Sequence, residues 1–363
     1  MRLSLTLSLY LGRHVLMACL VTLVGLAVLV FLLDVVEILR RAAGRDLAFG
    51  LVLRMASLKL PTTAQKLVPF AVLFGAMLAY VRLTRSHELV VVRAAGVSVW
   101  QFLAPALGVA AGLGMLIVAV INPVAASMAS AYESLEARHL RGRVSLLAVS
   151  ASGLWMRQVD AIGQSVIHAL RVSQQGVELD DVIIFLYQGA DRFVGRIDAR
   201  RARLEPGHWR LDEALLTTPD RPAERISISR LDTSLTLAQL QESFASPQTL
   251  SFWTLPRFID TLERTGFSGL RHRLYWHTLL ALPALLCAMV LVAATFSLRL
   301  SRRGGIGPLV AGGVGIGFAF FFLADVALAF GQSGALPVVL AAWAPTAICA
   351  LLGSTMLLHL EDG

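Results

Sequence analysis

The sequence predicts a membrane protein whose six spanning helices form two groups of three, with an all-β domain of the jelly-roll type inserted between the groups. Apolar residues make up 56% of the chain and charged residues only 15%, and the two kinds are segregated along it. Three long apolar runs precede a polar stretch at 123–273, and three follow it. That stretch is rich in β-branched and aromatic residues separated by turn residues, a pattern typical of short strands.

The apolar runs approach or exceed the roughly 20 residues that a helix needs to cross the hydrocarbon core of a bilayer. They lie at 15–33, 67–81, 99–121, 278–298, 306–330 and 338–358. The second run is short unless its helix starts near Thr62. No small-residue cleavage site follows the first run, which predicts a retained helix and not a signal peptide.

The predicted domain boundaries follow the edges of the polar stretch. Residues 1–122 hold three spans and a short helix at about 84–97, residues 123–273 form the β domain, and residues 274–363 hold the last three spans. The arginines of the loops favour an N-terminus on the cytoplasmic side. Because an odd number of spans separates that terminus from the β domain, we expect this domain on the opposite, non-cytoplasmic side of the membrane.

Six strands are predicted in the β domain, because short β-branched runs alternate with turns such as Gln175-Gly176 and Glu205-Pro206-Gly207. The strands lie at 153–160, 164–173, 180–189, 192–203, 209–217 and 225–234. Short strands at even spacing indicate a sandwich or jelly roll. Its interior is ordinarily a packed core, and a lipid slot between the sheets is the alternative.

A connecting helix is predicted at about 254–265, where Leu255, Phe258 and Leu262 fall on one face. We expect this helix to lie at the membrane interface and to lead into the fourth span. A basic and aromatic belt opens that span, and its residues are Arg271, His272, Arg273, Tyr275, Trp276 and His277.

The first span continues into a charged extension that keeps the helical spacing of its apolar residues, so the helix is predicted to run past the hydrocarbon edge. The charged residues of this extension are Asp34, Glu37, Arg40 and Arg41. They form either a solvated helix end or a charged mouth for anionic lipid head groups, because guanidinium groups suit phosphate.

A short amphipathic helix is predicted between the second and third spans. Ser86 is a candidate N-cap, Gly96 is a candidate C-terminal stop, and His87 and Glu88 fall in the first turn. Two interpretations stay open. A helix lying on the membrane surface ordinarily favours Lys and Arg over an acidic first turn, and the alternative is a docking helix for a soluble partner.

The fifth span carries glycines at helical spacing, including the pair Gly313 and Gly317, which predicts close helix packing that is either static or a sliding surface. Asp325 lies deep in the same apolar run. Because a carboxylate inside a membrane is costly without a partner, we expect it to pair with Arg40 or Arg41 of the first helix.

Several classes of chemistry find no support in the sequence. There is no GxxxxGK[ST] motif for phosphate binding, and neither GxSxG nor HExxH occurs. The three cysteines lie inside apolar runs and form no CxxC pair, which argues against a disulfide framework or a zinc site. We therefore expect a transport or binding protein without catalytic residues, metal or bound cofactor of its own.

The segment RSHELVVVRAAGVS at 85–98 resembles the coupling helix of the LptF/LptG permeases of lipopolysaccharide export, and the three-plus-three layout around a β domain is similar over the whole chain. Gly153-Leu154-Trp155 is similar to the start of the family's β-jelly-roll, and 323–325 to the end of its fifth helix. The Gly-Leu-Trp triplet and the length of the first loop favour the LptG branch of the family.

The resemblance implies a transmembrane permease subunit of an ABC transporter that extracts lipopolysaccharide from the inner membrane. It implies an LptF-like permease as pairing partner, an LptB dimer that hydrolyses ATP with Mg²⁺, and LptC and then LptA as the next proteins on the route. The residues implied in ATPase coupling are Arg85, His87, Glu88, Leu89 and Arg93. The residues implied in a substrate-binding lateral gate are Asp34, Glu37, Arg40, Arg41, Gly313, Gly317 and Asp325.

The chain departs from the family at charged positions. Asp34 is acidic where the family often has a basic residue, and Glu133 and Glu136 replace basic positions after the third span. We therefore expect a substrate whose charge pattern differs from that of enteric lipopolysaccharides. A permease for another lipid or envelope component, or a membrane scaffold with a periplasmic sensor domain, is the alternative interpretation.

Overall fold

The computed structural model of the chain describes residues 5–43, 48–94, 96–141, 147–150, 153–159, 163–172, 178–188, 192–219, 221–233, 246–264, 268–300 and 306–361. The fold divides into two compact units. A helical unit comprises Met1–Leu140, Gln248–Trp253 and Arg273–Gly363, and a β unit comprises Arg141–Pro247 and Thr254–His272.

Long helices make up the helical unit. The α-helices of the described chain are α1 (Leu5–Ala42), α2 (Phe49–Arg85), α3 (Glu88–Ala94), α4 (Val99–Leu116), α5 (Asn122–Glu136), α6 (Leu255–Arg264), α7 (Leu270–Leu300), α8 (Ile306–Gln332) and α9 (Val338–Glu361). Six helical stretches among them, with α4 and α5 forming one, are long and apolar enough to cross a membrane. The predicted number of spans is therefore confirmed.

Helices α1 and α2 form an antiparallel pair that extends beyond the two predicted apolar runs. The backbones come closest where Gly75 faces Cys19, since a Cβ atom added at Gly75 would lie 2.5 Å from the Cys19 Cα atom. At the other end of the pair, the fully buried Ile38 of α1 packs with Val52 and Met55 of α2. This apolar contact stabilises helical turns that lie outside the apolar runs.

Helix α4 continues into α5 through the π-helical turn Ile117–Ile121, and a second π-helical turn follows at Ala137–Arg141. Pro123 lacks an N–H group, so it cannot donate to the carbonyl of Ala119 one turn before it. The indole N–H of Trp253 donates to that carbonyl at 3.1 Å. The helix therefore runs through the predicted domain boundary at 122.

Asn122 fastens the segment Gln248–Trp253 to the helical unit. Its side chain is almost fully buried, and its Oδ1 atom accepts a hydrogen bond from the Phe252 N–H at 2.7 Å. The Nδ2 group donates to the Tyr275 hydroxyl at 3.3 Å and to the Gln65 Oε1 atom at 3.5 Å. The buried side-chain amide of Asn122 therefore connects the segment Gln248–Trp253, α7 and α2.

The β unit contains an antiparallel sheet in which each strand pairs with the next in the chain. Its strands are β1 (Leu147–Ser150), β2 (Gly153–Val159), β3 (Gly163–Val172), β4 (Glu178–Gln188), β5 (Arg192–Glu205), β6 (His208–Thr218) and β7 (Arg221–Asp232). The inserted all-β domain is confirmed, with the connectivity of a meander. The four-residue β1 is too short to give a sequence signal and is absent from the predicted strands.

One face of the sheet forms an apolar core. A row of register partners crosses five strands, and its members are Met156, Ile167, Ile184, Ile197 and Leu216. Alternation places such residues on one face and polar residues on the other. The fully buried Trp209 belongs to the same core.

Helix α6 covers part of that core. Leu255 and Leu262 are almost completely buried, and Phe258 packs against the apolar cluster of the sheet. The apolar face of α6 is therefore buried against the sheet, and the position of this helix at the membrane interface stays a prediction. The sequence pattern identified the amphipathic helix but does not distinguish a sheet from a membrane as its apolar neighbour.

Candidate functional site at the two ends of helix α1

Six ionised side chains meet at the C-terminal end of α1, where α2 and α5 pack against it, and we call them the charge cluster. They are Asp34, Glu37, Arg40, Arg41, Lys59 and Glu136. The cluster contains three acids and three bases, so its formal charge is zero. It extends the predicted charged helix end by Lys59 and Glu136, which neighbouring helices supply.

Short ion pairs join these side chains. The Lys59 Nζ atom donates to Asp34 Oδ1 at 2.6 Å. Arg40 and Arg41 both bond to the Glu37 carboxylate, at 2.8 and 2.7 Å. A second donor of Arg41 reaches Glu136 Oε1 at 3.3 Å, so this guanidinium bridges α1 and α5.

Acids and bases of the cluster differ in exposure. The side chains of Arg40 and Arg41 are 76% and 51% exposed, whereas those of Asp34 and Glu136 are 11% and 9% exposed. The two arginines therefore form the accessible edge, Asp34 and Glu136 lie beneath it, and Glu37 and Lys59 are intermediate at 31% and 32%. A planar guanidinium on such an edge can bind a phosphate with two parallel hydrogen bonds.

The prediction that Asp325 pairs with Arg40 or Arg41 within this chain is wrong. Both arginines pair with Glu37, which lies three and four residues before them on the same helix and is therefore their nearest acid. Asp325 lies on α8 with an exposed side chain.

Gly313 and Gly317 pack α8 against α2. Cβ atoms added there would lie 2.8 Å from the Met77 sulfur and 3.3 Å from the Phe70 ring, respectively. The opposite side of α8 exposes large side chains, among them Phe318 at 72%. These two glycines thus lie in the contact between α8 and α2, and the exposed aromatic residues of α8 are a surface that sequence reasoning missed.

Helix α1 and helix α8 have the freest faces of the six spans. In the most apolar 18-residue stretch of each helix, only 11% of α1 and 22% of α8 is buried, against 61% for α2 and for α7. Long apolar helices with free faces can pack against lipid or against another transmembrane subunit. The two helices implied in the lateral gate are therefore the two with the most surface left for a partner.

The predicted short amphipathic helix exists as α3, with a different start. Ser86 ends α2, where its backbone N–H donates to the Arg82 carbonyl and the His87 N–H donates to the Thr84 carbonyl, so Ser86 is not an N-cap of α3. His87 has a left-handed φ of 57°, and α3 begins at Glu88. Gly96 has a φ of 79° and provides the predicted stop.

The candidate coupling residues surround the first turn of α3. Leu89 is 6% exposed and packs α3 against the helical unit. Arg85 and His87 are exposed, and Glu88 is half-buried. The side chain of Arg93 lies outside the described part of the structure. The hydroxyl of Tyr10 near the start of α1 donates to Glu88 Oε2 at 3.0 Å, a contact that the sequence did not reveal.

Helix α1 thus joins two polar sites. Tyr10 and Glu37 lie 27 residues apart in one uninterrupted helix, which at 1.5 Å per residue separates them by about 40 Å. That length exceeds the roughly 30 Å hydrocarbon thickness of a bilayer. The charge cluster and α3 therefore belong to opposite faces of the membrane.

Comparisons with known proteins find a family and relatives that are similar to nearly the whole chain. The family described as lipopolysaccharide export system permease LptF/LptG matches residues 9–359. The lipopolysaccharide export system permease protein LptG of Escherichia coli strain K12 is 28% identical over 352 residues, covering 95% of this chain and 93% of that protein. The protein of the same name from Haemophilus influenzae is 24% identical over 331 residues, covering 88% of this chain and 89% of that protein.

Proposed function

The chain belongs to the LptF/LptG family of lipopolysaccharide export permeases, and from that premise we propose that α3 receives mechanical work from an ATPase and that α1 and α8 border the path of the lipid. The protein is a multi-pass membrane permease subunit of lipopolysaccharide export and is not itself catalytic. The observation that carries the proposal is the match over residues 9–359, because it includes α3, the six spans and the β unit.

A partner ATPase of the LptB type supplies the work in this proposal, with ATP and Mg²⁺ bound by that partner. The exposed Arg85 and His87 and the half-buried Glu88 offer a polar surface around a short helix. Such a helix can enter a groove, and its buried Leu89 would pass the displacement to the bundle.

A second permease of the LptF type completes the lipid cavity in the proposal. The free faces of α1 and α8 would meet the other subunit and form two lateral gates, with Arg40 and Arg41 facing the phosphates or acidic sugars of the lipid. The charge cluster then lies on the periplasmic side of the bacterial inner membrane, with the β unit. LptC and LptA would continue the route from there.

The proposed role of α3 is tested in a complex reconstituted into liposomes with the second permease and the ATPase. Changing Glu88→Ala is expected to lower ATPase association about thirtyfold or more, since truncating one partner of a hydrogen-bonded charge pair typically costs at least about 2 kcal/mol. Glu224→Ala is the matched control, because it removes an exposed carboxylate from β7.

ATPase association is measured by copurification, and lipopolysaccharide release is measured together with ATP hydrolysis. We expect the Glu224 variant to match the unchanged protein in all three measurements. Unchanged association, hydrolysis and release in the Glu88 variant would remove α3 from the coupling role, while leaving membership of the family intact.

A further inference from the structure

Helix α3 contacts the N-terminal turns of α1 as well as the two helices to which it is covalently joined. The Tyr10 hydroxyl donates to Glu88 Oε2 at 3.0 Å across a sequence separation of 78 residues. The Tyr10 ring lies 4.3 Å, between ring centroids, from the ring of His14, the next residue on this face of α1. The hydroxyl is therefore held on a braced side chain and not on a freely rotating one.

Apolar packing between α3 and α1 is incomplete at this contact. A groove of about 280 Å³, partly open to solvent, lies between the two helices, and its apolar lining includes Leu7, Leu11, Leu83, Leu89, Val92 and Phe102. Side chains that border such a groove do not interdigitate as fully as those of a close-packed interior. The Tyr10–Glu88 hydrogen bond lies at this groove and joins α3 to α1.

The covalent links of α3 are turns with left-handed residues. His87 and Gly96 have φ angles of 57° and 79° at its two ends. These turns separate α3 from α2 and from α4, so α3 is not a continuation of either helix. The hydrogen bond at Tyr10 is a direct contact through which a displacement of α3 can reach α1.

We propose that Tyr10 is a positioning residue that transmits displacement of α3 to α1, and through α1 to the charge cluster. This inference rests on the proposed function of α3. Helix α1 is continuous from Leu5 to Ala42 and contains no proline, so it moves as one element. The hydrogen bond uses one of the two carboxylate oxygens, which leaves Glu88 Oε1 able to accept a hydrogen bond from the ATPase.

The test is Tyr10→Phe in the complex reconstituted with its second permease and ATPase, since this change removes only the hydroxyl. We expect normal ATPase copurification and continued ATP hydrolysis. The number of lipopolysaccharide molecules released per ATP is expected to fall about fivefold, the low end of coupling between distant sites.

Tyr80→Phe is the matched control. Tyr80 lies near the same end of the bundle, with its ring 5.7 Å from that of Phe102. Its hydroxyl is buried and has no hydrogen-bond partner among the described residues. This variant is expected to retain the normal ratio of lipid released to ATP hydrolysed, because it removes a hydroxyl that ties no helix to α3.

The outcomes separate the inference from the proposed function. A normal release ratio in Tyr10→Phe, with or without a loss of thermal stability, overturns the inference, as does loss of the ATPase from that complex. A Glu88→Ala variant that behaves normally overturns the role of α3 itself. A reduced ratio in Tyr10→Phe with unchanged ATPase binding supports the transmission through Tyr10.

Discussion

Removing one partner of the Asp34–Lys59 ion pair at a time should give two different losses of stability. The carboxylate is 11% exposed and the lysine side chain 32% exposed, and the two charged atoms lie 2.6 Å apart. Lys59→Met leaves a shielded carboxylate whose second oxygen, Oδ2, already lacks a hydrogen bond in the described structure. Breaking a buried pair in this way costs about 3 kcal/mol, the lower end of the usual range.

Changing Asp34 instead of Lys59 should lower the unfolding free energy by less. Asp34→Asn keeps an amide oxygen that accepts a hydrogen bond from Lys59, and the long lysine side chain can carry its ammonium to the membrane interface. We expect a loss of about 1 kcal/mol. The double variant should lose less than the sum of the two single losses, because the two residues share one interaction.

Unfolding by a denaturing detergent in mixed micelles measures these free energies. Equal losses in the two single variants, or a loss below about 1 kcal/mol for Lys59→Met, would contradict the assignment of Asp34 as the shielded partner. Binding of lipopolysaccharide gives a second measurement. Asp34→Asn should bind it more tightly than the unchanged protein at low salt, because the lysine charge is no longer neutralised by a carboxylate.

Three further changes have expected outcomes. Arg40→Ala combined with Arg41→Ala should weaken binding of lipopolysaccharide about tenfold at low salt and less at high salt, because each exposed arginine contributes roughly 1 kcal/mol near an anionic surface and both share one carboxylate. Gly75→Ala should lower the unfolding free energy by about 1–3 kcal/mol, since its Cβ atom meets the backbone of α1. Asn122→Ala should cost about 2 kcal/mol by leaving the partly buried backbone N–H of Phe252 without its acceptor.

Controls for these changes are available in the chain. Gly25→Ala adds a Cβ atom on α1 with nothing within 4 Å, so it should leave the unfolding free energy unchanged or slightly higher. Equal effects at Gly25 and Gly75 would refute the close approach of α1 and α2. For the two arginines, lipid binding that is unaffected at both salt concentrations would remove them from the lipid path.

The membrane spans could be predicted because apolar and charged residues are segregated, and that segregation reflects transfer free energies alone. The partner of Asp34 could not be predicted in the same way. Lys59 lies 25 residues away, and its position opposite Asp34 depends on the register of α1 against α2. The approach of Gly75 to Cys19 fixes that register, and no local pattern shows it.

The coupling helix shows the same division between local and distant information. Spacing and turn residues predicted α3 and its end at Gly96, whereas the role of Ser86 as its N-cap was wrong because α2 extends four residues beyond the apolar run that ends at 81. The contact between Tyr10 and Glu88 depends on the packing of the whole bundle. Sequence could have suggested Tyr10 only as a polar residue beside the first span.

Accessibility labelling tests the central claim most directly, since the account requires α3 and the β unit on opposite faces of the membrane. Single cysteines are placed at the exposed His87 and Arg200 in a chain whose native Cys19, Cys287 and Cys349 are replaced by alanine. A membrane-impermeant maleimide applied to intact spheroplasts should label Arg200→Cys at once and His87→Cys only after the membrane is permeabilised. Labelling of both positions in intact spheroplasts would contradict the account.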